Sequence, residues 1–124
     1  MPEPASSLSF MIRQKLDCLQ ISPNLRGHYY LAYAIEQVAN NPIRVKDVTK
    51  DLYQDTAHNF GTTWKAVERN IRSAVIACWN SSGQTTLREM TGFQLSERPK
   101  TAVFIAIVAE HVMKLYREQP SKWK

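Results

Sequence analysis

Cysteine is scarce in this chain. Cys18 and Cys78 are the only two, with no CxxC pair and no Cys/His neighbour at ligand spacing. They can build neither a zinc site nor a disulfide framework. Both fall on apolar helix faces, so buried free thiols in a reducing cytoplasm are expected. His28, His58 and His111 belong to different expected helices and lack a spaced carboxylate or cysteine partner, which removes a metal centre and a catalytic base. A Gly-rich phosphate loop, a nucleophile elbow and a paired-carboxylate motif are also missing, so neither enzymatic activity nor a cofactor is expected. The longest apolar run, Ala102 to Ala109, falls far short of the ~20 residues that cross a bilayer, which excludes membrane insertion. The N-terminus has neither a basic nor an apolar region of the secretory type. Residues 1–7 are expected to form a disordered tail, and residues 119–124 a C-terminal one.

What remains is enough for one core. With 124 residues and 44% hydrophobic content, a single domain needs no metal or disulfide support. The net charge of +5 favours a polyanionic partner. Leu8, Ile12, Leu16 and Leu19 mark a first amphipathic helix ending near Gln20. Ser22-Pro23 supplies a cap and a first-turn proline for a second helix, which Asn40-Asn41-Pro42 stops. Val45, Val48 and Leu52 support a short third helix. Two further helices follow, over Gln54 to Asn59 and about Thr63 to Asn80, the latter closed by Ser81-Ser82-Gly83. Thr86 to Met90 has room for one helical turn. Pro99 starts a last helix, apolar almost all round in its first turns, as expected at the centre of a domain. The expectation is a compact all-α, six-helix domain over residues 8–118, without sheet or repeat.

The segment Asp55 to Arg72 reads as a helix-turn-helix. Ala57 lies where two helices approach, Gly61 can take the positive φ of the turn, and Val67 anchors the second helix to the first. Thr62 or Thr63 is placed to cap that second helix, with Glu68 too far along to close a capping box. Glu68, Arg69 and Arg72 then point outward. By periodicity alone, Glu68 and Arg72 make an exposed i,i+4 ion pair worth a few tenths of a kcal/mol. Tyr29, Tyr30, Tyr33, Trp64 and Trp79 stand at helical spacing, which favours packing over base stacking.

The run Lys50-Asp-Leu-Tyr-Gln-Asp-Thr-Ala-His-Asn-Phe-Gly-Thr-Thr63, with Val67-Glu-Arg69, Ile71-Arg72 and Cys78-Trp79, resembles the C-terminal DNA-binding domain of the sporulation-initiating response regulator of endospore-forming bacteria. Arg26-Gly-His-Tyr-Tyr-Leu-Ala-Tyr-Ala-Ile35 upstream, and Gly92-Phe93, Pro99 and Phe104-Ile-Ala106 downstream, extend the likeness to about residues 10–117. The resemblance implies a cytoplasmic, nucleoid-associated transcription regulator that reads double-stranded DNA with helix 63–80. Glu68 and Arg69 inherit base-edge roles: a carboxylate accepts from the cytosine amine, and an arginine forks onto guanine. Thr62, Thr63, Lys65, Arg72 and Ser73 are the expected phosphate contacts. The resemblance also implies tandem sites with domains touching head to tail as a homodimer, and RNA polymerase or its sigma factor as a second partner. The family's receiver domain is not among these 124 residues, which fits either a naturally free-standing effector domain or a fragment of a longer regulator, and the former is the expectation.

Four positions depart from the family pattern. Ala66 replaces a base-reading arginine, Ser73 a histidine and Gln54 a proline, while Trp64 stands where a small residue is usual. The alternative reading follows from Ala66: a protein-interaction module that engages the polymerase or competes with the full-length regulator, with weakened DNA binding.

Overall fold

The computed structural model describes residues 4–92 and 94–118. Six α-helices form among them: α1 Pro4–Cys18, α2 Arg26–Asn40, α3 Gln54–Phe60, α4 Trp64–Trp79, α5 Gly83–Thr91 and α6 Thr101–Arg117. Between α2 and α3 the chain runs through a 3₁₀ segment, Pro42–Asp47, and a π segment, Val48–Tyr53. No strand occurs among the described residues. The all-α expectation holds, and five of the six helices are those read from the sequence, with α5 in place of the helix expected at Val45 to Leu52.

The stripe of α1 is buried as its spacing predicts, with Leu8, Ile12 and Leu16 in the core and Leu19 and Ile21 following them. The helix begins at Pro4, so residues 4–7 are helical where a disordered tail was expected. Residues 1–3 and 119–124, and Phe93 of the resemblance, lie outside the described residues. Cys18 is exposed, not buried. Two residues past Leu16 it is turned about 200° around the helix, away from the stripe. Gln20 then takes φ +65, and Ile21 donates its N–H back to the Leu16 carbonyl at 2.9 Å, which closes the helix end.

α2 starts at Arg26 rather than at Pro23. Ser22 accepts from the N–H groups of Asn24 and Leu25 in a turn of its own, and Leu25 caps the helix without a side-chain bond. Burial of Leu31, Ala32, Ala34, Ile35, Val38 and Ala39, with packing against α1, α4 and α6, puts α2 at the centre. The sequence reading gave that place to the last helix. α6 instead buries Phe104, Ile105, Val108, Ala109 and Val112 on one side and leaves Val103 46% exposed. It starts at Thr101, with Pro99 buried before its cap residue Lys100.

The expected third α-helix does not form, although Leu52 is buried and Val45 half-buried as its stripe requires. Arg44 links this segment to its neighbours. Its guanidinium forks onto Asp51 at 2.8 and 3.0 Å, meets Asp55 at 3.0 Å and donates to Gln37 at 3.0 Å. The segment is thereby tied to both α2 and α3.

α5 is a full helix where one turn was expected. Gly83 opens it and does not close α4, which ends at Trp79 with Asn80 as its cap. A Cβ on Gly83 would stand 2.2 Å from the Leu19 carbonyl oxygen, so this glycine serves close approach and not a left-handed stop.

Candidate nucleic-acid interface

Helix α3 ends where its sequence says it must. Gly61 adopts φ +65, ψ +39, and the Thr62 N–H returns to the Ala57 carbonyl at 2.9 Å, closing the turn over a buried alanine. Phe60, the last residue of α3, sets its ring edge-on to Tyr30 and Tyr33 of α2 at 5.2 and 5.9 Å. At the other end of α3, Asp55 takes the Tyr33 hydroxyl at 3.2 Å as well as Arg44. The first helix of the motif is therefore held on α2 by aromatic packing at one end and by an ion and hydrogen-bond cluster at the other.

Of the two candidate caps it is Thr63 that serves α4: in extended geometry, its Oγ1 accepts from the Ala66 N–H at 3.2 Å. Val67, Ile71, Ala74, Val75 and Cys78 face the core. A turn of 100° per residue then directs Lys65, Arg69, Arg72 and Ser73 away from it, and all four are exposed. Thr63 is exposed and Thr62 half-buried beside them.

Glu68 sits on one flank of this face. It pairs with Arg72 at 3.3 Å, with the two side chains 38% and 52% exposed. Both lie near the buried Tyr53 phenol, which burial pushes up to about 12, Glu68 adding to the rise while a bond with Thr101 and the charge of Arg72 oppose it. Asn70 sits on the other flank and donates to the Ala66 carbonyl at 2.7 Å. Lys65 holds its ammonium 5.8 Å from the Trp64 ring centre, and Trp64 itself is half-buried against the core.

The structure thus gathers all seven expected site residues onto the opening of α4 and the turn before it. What sequence reasoning missed is the Arg44, Asp51, Asp55, Tyr33 and Gln37 cluster that orients α3. Its members come from four segments, so no spacing announces it.

The remaining candidates stay apart. His28 is buried and its Nδ1 bonds the Ile21 carbonyl at 3.0 Å. His58 is exposed on α3. His111 is pushed below its ordinary value by burial, with Lys15 and Lys114 adding to the effect. No group of three or more potential metal ligands forms among the described residues, and no described helix is long and apolar enough to cross a membrane.

An exposed basic face on the second helix of a helix-turn-helix, with its first turn capped and open, is the geometry by which a domain enters the major groove. The family model described as sporulation initiation factor Spo0A C terminal matches residues 12–112, and this chain belongs to that family of DNA-binding transcription-regulator domains.

Proposed function

We propose that this chain binds duplex DNA sequence-specifically through α4, acting in the cytoplasm on the nucleoid as a transcription regulator. The observation that carries the reading is the exposed row Lys65, Arg69, Arg72 and Ser73, set opposite the buried stripe of the same helix. Arg69 and Glu68 read base edges, while Lys65, Arg72, Ser73, Thr62 and Thr63 hold phosphates. Thr63 suits this double use: its oxygen accepts from the Ala66 N–H, which leaves its O–H free to donate. The Glu68–Arg72 pair is no obstacle. Exposed pairs contribute only ~0–1 kcal/mol, so Arg72 can leave Glu68 for a phosphate and release the carboxylate to a cytosine amine. On tandem sites, neighbouring copies would touch head to tail, and RNA polymerase or its sigma factor would be the protein partner.

Ala66 carries a further consequence, because a side chain that ends at Cβ cannot reach a base edge with a hydrogen bond. The preferred site should be degenerate at one base pair, and Ala66→Arg should restore discrimination there by roughly 1–3 kcal/mol. The test is selection of bound duplexes from a random pool, followed by titration of matched and mismatched duplexes at fixed salt. Arg69→Ala should relax the preference at one position and cost about 1–3 kcal/mol on the preferred site. A wild-type chain that enriches no motif would refute the reading and leave a protein-interaction role in its place. Equal tightening of Ala66→Arg on both duplexes would mean that the new arginine meets only phosphate.

A further inference from the structure

A groove of about 370 Å³ opens beside the α3–α4 turn, lined by Arg26, Tyr29 and Tyr30 of α2, Phe60 at the end of α3, and Gly61 and Thr62 of the turn. Its composition is unusual for a free surface. Tyr29 is 39% exposed and Phe60 40%, so two aromatic faces meet water side by side. Among the described residues that line it, the only charged one is a cation, Arg26, exposed at the start of α2. A second cation stands behind it: the Arg13 guanidinium of α1 lies 5.3 Å from the Tyr29 ring centre.

The groove's place relative to α4 is fixed by packing. Gly27, next to Arg26, touches the backbone of Asn70, and Asn70 bonds back to the Ala66 carbonyl one turn earlier. Arg26 therefore stands on the Ala66 flank of α4, opposite the flank that carries Glu68. Thr62 belongs both to the groove and to the set of residues facing the DNA backbone in the reading above.

We propose that this groove is a second seat for the DNA backbone, in which Arg26 and the Thr62 hydroxyl hold a phosphate and the Tyr29 and Phe60 rings pack against its sugar. The inference rests on α4 entering the major groove. A duplex docked on α4 runs past the turn at its N-terminal end, where this groove continues the basic face with no carboxylate among the described residues of its lining. Arg26 meets the phosphate as a charge and a hydrogen-bond fork, and an aromatic wall excludes water around that contact. The seat reads no base. It adds affinity on the side where Ala66 leaves α4 without a long cation.

The test compares wild type, Arg26→Ala and Arg26→Lys on the selected duplex across a salt series, with a shortened duplex lacking the base pairs that flank the site on the Ala66 side. One phosphate contact contributes ~0.9 to the slope of log K against log salt. Arg26→Ala should therefore lower the slope by about 0.9, so that a fourfold rise in salt costs it about 3.5-fold less affinity than it costs wild type. Its selected motif should not change. Arg26→Lys should keep the wild-type slope, and the shortened duplex should erase the difference between wild type and Arg26→Ala. Arg26 is exposed and makes no intramolecular ion pair among the described contacts, so the alanine variant should fold; an unchanged circular dichroism melt verifies this.

An unchanged slope for Arg26→Ala, with motif selection intact and still sensitive to Arg69→Ala, overturns the second seat alone. A change in the selected motif would also overturn it, since the side chain would then be reading bases. Failure of the wild-type chain to select any duplex would bring down the recognition-helix reading, and this inference with it.

Discussion

Gly27→Ala tests how closely α2 and α4 are fitted. A Cβ at this position would lie 2.4 Å from the Asn70 carbonyl oxygen and 3.0 Å from the Ala74 Cβ. Ordinary C···O approaches begin near ~3.3 Å, so the two helices must separate by about 1 Å or distort. The atom in the way is backbone, held in the middle of α4, and has no rotamer by which to escape. Overpacking of this kind typically costs about 1–3 kcal/mol, while alanine gains about 1 kcal/mol over glycine in a helix interior. Residue 27 lies in the first turn of α2, where that gain is only partly realised. The net expectation is a loss of roughly 1–2 kcal/mol, a substantial part of the ~5–15 kcal/mol that holds a typical domain. Urea unfolding followed by circular dichroism measures it as a lower midpoint with an unchanged slope. Adding Ala74→Gly removes the 3.0 Å contact and leaves the carbonyl clash, so it should recover little. A Gly27→Ala chain as stable as wild type, or more stable, would show that α2 and α4 separate freely and refute the close-approach argument.

The two thiols should separate cleanly by reactivity. Cys18 is exposed and Cys78 is buried, its thiol pushed up to about 11 by desolvation, so a thiol reagent at neutral pH should modify one cysteine quickly and the other only on unfolding. Two fast thiols in the folded protein would contradict this packing. The Cys78 thiol and the Tyr53 phenol both have folded values raised above their ordinary ones, so the stability they confer is complete below those ordinary values. Unfolding midpoints should fall as pH rises from about 9 toward 11–12, and Tyr53→Phe should flatten the upper part of that fall. At the end of α1, Gln20→Gly should raise stability by up to about 1 kcal/mol, because Gln20 holds φ +65 where glycine pays no Cβ penalty. A destabilised variant would mean that the Gln20 side chain makes a contact that outweighs the backbone strain.

Periodicity was a good guide wherever apolar packing chose the conformation. The stripes at Leu8 to Leu19 and Val67 to Cys78 are buried as their spacing requires, and the Asp55 to Arg72 segment folds as the helix, turn and helix that Gly61 and Thr63 announce. It failed where a contact between distant segments decided. Nothing local tells that Arg44 will gather Gln37, Asp51 and Asp55, or that the segment holding it will run as 3₁₀ and π turns instead of the expected α-helix. Gly83 illustrates a different limit. A glycine after a helix reads as a stop, yet its reason here is the Leu19 carbonyl, a partner from the other end of the chain's first half. For the site, helical spacing is enough to put Lys65, Arg69 and Arg72 on one face. It could not show the Arg26 groove, whose walls come from α2 and the turn together.

The Arg44 cluster also bears on the order in which this molecule assembles. One guanidinium joins acceptors on α2, the π segment and α3, so it can close only after those three have met. Its bonds are then expected to form late in folding and to contribute little to the barrier on the way in. Contacts of that kind govern how fast a native protein comes apart. By this route Arg44→Ala should shorten the lifetime of the folded motif while leaving its rate of formation nearly untouched, so that a side chain outside the exposed face of α4 would set how long α3 keeps α4 in place.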